Sequence, residues 1–248
     1  MAFLPRALNP SHPHPLKVLI PLFPDFNTFD ANGPIEVLSQ ANRNSDSGVF
    51  FQIFIAGDTE LTKSIEGVSI ARDISLEDAL ARVEEWDIVL LPGGVRASIL
   101  EILKQHKDGK KSALVALMDR YLDIPDCLTL TVCTGSLFLA ALGKLDRRTA
   151  TSHWASLGSV KTLCAERPAE LTWTDNSKTK VVRARWVDSK EEGLPRLITA
   201  GGVACGIDAT FYLVELIAGA EIAAKAAAVV DYQRRGEELQ EDYVIPEL

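Results

Sequence analysis

The 248-residue chain is short of the features that mark several large protein classes. It has no CxxC pair, and its four cysteines (Cys127, Cys133, Cys164, Cys205) follow no metal-ligand spacing. Histidine is equally scarce: two of the four, His12 and His14, sit in a proline-rich N-terminal stretch. No metal site is therefore expected. No apolar run reaches the ~18 residues that suggest a membrane span, so no membrane partner is expected. No basic stripe stands out in a chain of net charge −8 and pI near 5.1, which argues against a nucleic-acid partner. The opening "MAFLPRALNPSHPHP" lacks the apolar core of a secretory signal. It reads as a flexible arm over 1–15. Cysteines without paired spacing fit a reducing, cytoplasmic compartment. No repeat, low-complexity tract or linker interrupts the chain.

What is present is ordinary for a globular protein: 47% hydrophobic and 24% charged residues. One α/β domain is expected over 16–235, with a charged tail over 236–248. "KVLIPLF" (17–23), "DIVLLPGG" (87–94), "LTLTV" (128–132) and "RLITAGG" (196–202) are continuous apolar runs of the kind buried on both faces of a parallel sheet. "VFFQIFIAG" (49–57) is another strand. Glu66-Gly67 lies between short alternating runs and predicts a hairpin. Asn32 with Pro34 predicts the start of a helix, and Ser75 with Asp78 forms a capping box for another over 76–83. Further helices are expected over 97–105, 111–121, 136–142 and 155–165, and from 205 onward. "LTWTD" and "KVVRARWVDS" alternate as edge strands do. Strands alternating with helices imply a mostly parallel sheet between helical layers.

Ligands of such sheets bind beyond the carboxyl ends of the strands. Four of these runs bring unusual residues to that rim: Asp30 after the first strand, Gly93-Gly94, Cys133-Thr134-Gly135, and Gly201-Gly202. The glycines alone need mean no more than tight turns. A carboxylate and a cysteine at the same rim mean more. A strand–corner–helix turn with small neighbours such as Gly135 and Ser136 presents Cys133 as a nucleophile elbow does. The following helix would favour the thiolate. The N–H groups of Thr134 and the Gly93–Gly94 turn would steady a developing anion. Other readings stay open: Cys133 as a packed core thiol, Asp30 as a helix cap. His153, Trp154 and Val203 are candidate pocket walls, though His153 and Trp154 also suit structural roles. Cys205 is either a second reactive thiol or a packed residue.

"FDANGPIEVL", "LLPGG", "VCTGSLFLAALGKLDRRTATSHW" and "ITAGGVACGIDATFYLVE" together resemble the ThiJ/PfpI superfamily, of the class I glutamine-amidotransferase-like fold. The likeness runs from about Lys17 to Tyr232. It implies a flavodoxin-like three-layer α/β/α sandwich. "CTGS" followed by "ATSHWA", with Asp30 ahead of "GP", is most similar to the isocyanide (isonitrile) hydratase branch. That branch implies a homodimer with Cys133, Thr134 and Asp30 in its active site. Its reaction would need no cofactor and would begin with Cys133 attacking an isocyanide carbon to form a thioimidate. Asp30 would relay a proton and activate water, with Thr134 bonding the reacting centre, and a formamide would leave.

Thr134 stands where PfpI-type proteases carry histidine. Glu36 lies near the glutamate position of glyoxalase-type relatives, but Asp30 fits the hydratase motif better. Only 29 residues follow Gly219, so the helix-turn-helix domain of related regulators is not expected. Another small electrophile as substrate, or a cysteine redox or stress sensor without catalysis, remains an alternative for the same site.

Overall fold

The computed structural model describes residues 4–13, 15–45, 48–166 and 179–236. In chain order its elements are β1 (Leu16–Pro21), α1 (Thr28–Arg43), β2 (Phe51–Gly57), β3 (Leu61–Lys63), β4 (Ser69–Ala71), β5 (Ile74–Ser75), α2 (Leu76–Ala81) and β6 (Ile88–Leu91). There follow α3 (Arg96–Lys107), α4 (Ala113–Tyr121), β7 (Leu128–Val132), α5 (Ser136–Ala141), β8 (Thr149–Ala150) and α6 (Leu157–Ala165). The last are β9 (Lys180–Val181), β10 (Trp186–Ser189), β11 (Arg196–Ala200), α7 (Cys205–Ala218) and α8 (Ala220–Val229).

The main sheet has seven strands in the order β10-β11-β7-β6-β1-β2-β5. All its pairs are parallel except β10 with β11. Helices α1, α7 and α8 pack together on one side of the sheet, and α2 to α6 cover the other. This is the flavodoxin-like three-layer sandwich. β6 and β7 have no exposed residue, as their unbroken apolar runs require of strands covered on both faces. The order reverses between β1 and β6, so a crevice opens at their carboxyl ends.

Several local signals act as their chemistry dictates. Ser75 caps α2 by accepting from the Asp78 N–H at 2.9 Å and donating to the Asp78 carboxylate at 2.6 Å. Glu66-Gly67 turns the β3–β4 hairpin. Others differ. α1 starts at Thr28, four residues before Asn32, because Asn27 caps it: its Oδ1 accepts from the N–H groups of Phe29 (3.0 Å) and Asp30 (3.1 Å). Gly33 and Pro34 therefore lie inside the helix. Gly33 admits Ile207 of α7, and a Cβ there would sit 3.1 Å from that side chain.

"KVVRARWVDS" divides between β9 and β10, and "LTWTD" lies outside the described residues. The segment expected as a flexible arm is tied down where it is described. Arg6 bonds Asp126 through its N–H (2.8 Å) and its guanidinium (2.9 Å), His12 meets Asp87 at 2.8 Å, and Ala7 is buried.

Candidate active site

β7 ends at Val132, and the next residue reverses the chain. Cys133 has φ +59, left-handed backbone that costs a non-glycine residue about 1 kcal/mol or more. A 3-10 turn over Cys133–Gly135 then leads into α5. Neighbours hold the strain in place. The Cys133 N–H donates to Gly201 O (2.9 Å), and its carbonyl accepts from Ser152 Oγ (2.9 Å) and Ser136 Oγ (3.4 Å). Gly135 is obligatory, since a Cβ there would lie 2.7 Å from Leu91 O. Ser152 has no sequence signal of its own; only the fold brings it beneath the elbow.

Asp30 occupies the first turn of α1 and is wholly buried. It does not cap the helix. Its Oδ2 accepts from the Gly93 N–H at 3.1 Å, and the Cys133 thiol donates to the same carboxylate. Oδ1 meets no other nitrogen or oxygen donor among the described residues. Burial is the largest influence and lifts Asp30 to a pKa of about 7, with Glu66 adding a small push and the two hydrogen bonds opposing.

Desolvation also raises the Cys133 thiol well above its ordinary range. Asp30 beside it adds to this, and the Thr134 N–H opposes it. The resting proton therefore sits on sulfur, directed at Asp30. This corrects the expectation of a thiolate made by the helix terminus: α5 is a six-residue helix set behind a 3-10 turn, and desolvation outweighs it. Buried Cys127, pushed up to about 12, is inert for the same reason.

The glycine turn has a different job from the one expected of it. The Gly93 N–H is committed to Asp30, and the Gly94 N–H to Thr134 Oγ1 at 2.8 Å. Thr134 Oγ1 also lies 2.8 Å from Gly94 O. Only the Thr134 N–H of that proposed donor set faces the sulfur. Gly93 matters by absence: a Cβ would fall 2.6 Å from Thr134 N and 2.8 Å from Cys133 Cβ.

A cavity of about 350 Å³ opens over the sulfur. Cys133, Thr134, Gly94, His153 and Val203 line it, while Gly93 and Trp154 do not. Trp154 instead leans its ring on His153, centroids 5.3 Å apart. His153 is half-buried, which lowers its pKa and favours the neutral ring, and its Nδ1 accepts from the Ala155 N–H at 3.3 Å. Cys205 begins α7, outside the lining, and burial raises its thiol.

Sequence reasoning missed Asn27, Ile65, Val95, Arg96, Ala155 and Ser156, which complete the wall. The hairpin that carries Ile65 was foreseeable, but its docking was not. Glu66 accepts from Asn27 Nδ2 (2.8 Å), Thr28 N (3.0 Å) and Thr28 Oγ1, and the Ile65 N–H donates to Phe26 O (3.0 Å).

A model of the DJ-1/PfpI family matches residues 16–215. The chain is 29% identical over 217 residues to a protein named isonitrile hydratase from Pseudomonas putida, covering 88% of this chain and 78% of that one. It is 26% identical over 156 residues to an uncharacterized protein in the cpoL 5′ region of Streptomyces lividans, covering 60% of this chain and 96% of that one. Drosophila melanogaster DJ-1beta has the same fold at TM-score 0.66 and 20% identity, over 89% of this chain and 100% of that one.

Proposed function

The chain belongs to the DJ-1/PfpI family, and we propose that within it this protein is an isocyanide (isonitrile) hydratase, a lyase that needs no cofactor. The observation that carries this reading is the Cys133 thiol, which lines a small cavity, donating to the Asp30 carboxylate buried behind it. The 29% identity to a protein named isonitrile hydratase supports it. So does Thr134, which follows Cys133 directly in the chain where a protease of this kind would carry histidine.

In the proposed reaction the sulfur of Cys133 bonds to the terminal carbon of R–NC as its S–H bond breaks. The proton passes to Asp30 and from there to the same carbon, giving the thioimidate R–N=CH–S–Cys133. Water then adds to that carbon. One of its protons goes to nitrogen, the C–S bond breaks, the other proton returns to sulfur, and R–NH–CHO leaves. Asp30 serves both halves, first as base and then as acid, and a pKa of about 7 suits both. Thr134 contributes its N–H to the sulfur and uses its hydroxyl to fasten the Gly94 turn. His153 and Val203 bound the substrate. Gly93 and Trp154 act from behind the wall.

We also propose a cytoplasmic homodimer whose only other partner is its small-molecule substrate. The "IEVL" stretch of α1 does not supply the contact, since Val37 and Leu38 are buried inward and Ile35 packs on the core. Phe29 and Ile65, about half exposed beside the cavity mouth, are better placed.

The test is incubation with an aliphatic isocyanide and detection of the formamide proton by NMR. Cys133→Ala is expected to yield no product, and Cys205→Ala to keep most of the activity. Turnover by Cys133→Ala would overturn the covalent route.

A further inference from the structure

The cavity over Cys133 carries one fixed charge in its lining, and it is positive. Arg96, the first residue of α3, lines the same space as the sulfur. The other lining residues are uncharged or, in His153, biased toward the neutral ring. Arg96 is exposed and held only loosely, with Nη1 3.4 Å from Ser159 Oγ. Among the described residues no carboxylate pairs with it. α3 has no acidic residue in its first turn to compete for it. Of the carboxylates beside the mouth, Glu66 is already engaged by Asn27 and Thr28, and Asp25 by Ser98 Oγ at 2.7 Å. In a chain of net charge −8, an unpaired guanidinium turned to a nucleophile's cavity is a selective feature. A guanidinium matches a carboxylate with two parallel N–H donors, the strongest recognition this lining can offer.

We propose that Arg96 is a specificity-determining residue that binds the carboxylate of an anionic substrate while its other end reaches Cys133. Resting on the hydratase reading, the substrate class is then an isocyano-carboxylate, and its hydration product an N-formyl amino acid. The bookkeeping of the reaction is unchanged, because the carboxylate takes no part in bond making. A cavity of about 350 Å³ suits a molecule of a few heavy atoms beyond the reacting group.

Two arms test the subsite and the reaction separately. The first uses iodoacetate and iodoacetamide, reagents of nearly one size that differ in charge and alkylate sulfur with loss of iodide. Their rates at Cys133 are read by mass spectrometry of its peptide in wild type, Arg96→Gln and Arg96→Lys. The iodoacetate-to-iodoacetamide ratio is expected to fall about tenfold in Arg96→Gln, the scale of one charge-assisted contact, and to be largely kept in Arg96→Lys. A ratio unchanged within twofold in Arg96→Gln, or failure of both reagents to reach Cys133, overturns the proposal.

The second arm compares isocyanoacetate with its methyl ester in the same proteins. A wild-type preference for the acid that is lost in Arg96→Gln supports the substrate class. Hydration of both without preference overturns the class and leaves the hydratase reading standing. A charge-dependent alkylation ratio with neither isocyanide hydrated overturns the hydratase reading and leaves the anion subsite standing.

Discussion

At the scale of residues, the chemistry depends on one proton shared between two buried groups. Asp30 faces the Cys133 thiol and the Gly93 N–H, with Glu66 the further charge acting on it. Its folded pKa of about 7 lies above the ordinary carboxylate value of 3.8. Activity that needs Asp30 as a base should therefore rise with pH through about 7, and the thiol stays protonated over that range. Asp30→Asn should lose this rise and at least about a hundredfold in kcat/KM, the usual contribution of a positioned base. A pH–rate profile checks both.

The same shift works against stability. The folded state holds the Asp30 proton more tightly than the unfolded chain does. Stability is undiminished below about pH 4 and lost as pH rises toward and through 7. Asp30→Asn should thus be more stable than wild type at pH 8, with the difference vanishing near pH 4. Urea titrations at the two values decide it.

Gly93 is the second residue-scale lever. Its missing Cβ leaves room for Thr134 N and Cys133 Cβ, both main-chain or near it and unable to swing aside. Gly93→Ala should cost about 1–3 kcal/mol of stability by overpacking and should displace the sulfur, lowering turnover more than the melting temperature alone explains.

At the scale of elements, caps decide where helices begin. The Ser75–Asp78 box was legible because both partners lie within one turn, and its geometry needs nothing from the rest of the chain. Ser75→Ala should lower stability by about 1 kcal/mol without changing the rate of the reaction. Thermal melts and formamide assays would show it.

The start of α1 was not legible in the same way. Asn32 followed by Gly33 and Pro34 carries a helix-start signal, but Asn27 supplies a working cap five residues before Asn32. Proline there forgoes the bond its N–H would make to the Asp30 carbonyl. That concession places Asp30 within the first turn, where its side chain reaches the rim. The hairpin of β3 and β4 was readable from its turn residues. Its docking by Glu66 onto Asn27 and Thr28 was not, because the partners are 39 and 38 residues apart.

At the scale of the whole molecule, the site is an assembly of strand ends. β1, β6, β7 and β11 are consecutive in the sheet in the order β11-β7-β6-β1, and their carboxyl ends deliver Asp30, Gly93, Cys133 and Gly201 to one place. The mouth beside them carries Phe29 and Ile65, each about half exposed and open to a cover. If that cover is a second copy, Phe29→Asp should shift the protein from twice its chain mass to one chain mass in sedimentation and lower activity with it. Unchanged mass with unchanged activity would remove the dimer from the account.

The sequence by itself determined what local chemistry can specify. It set the buried strands through unbroken apolar runs, the Ser75 cap, the sharp corner at Cys133 through its small neighbours, and the set of motifs that identify the family. Tertiary structure alone decided the rest. It put the proton on sulfur, because desolvation depends on what covers a group and not on its neighbours in the chain. It spent the Gly93 and Gly94 N–H groups on Asp30 and Thr134, turned Trp154 away, and brought Ser152 beneath the elbow and Arg96 to the cavity wall. Each of these rests on a contact between distant segments, and only the closed fold fixes such contacts.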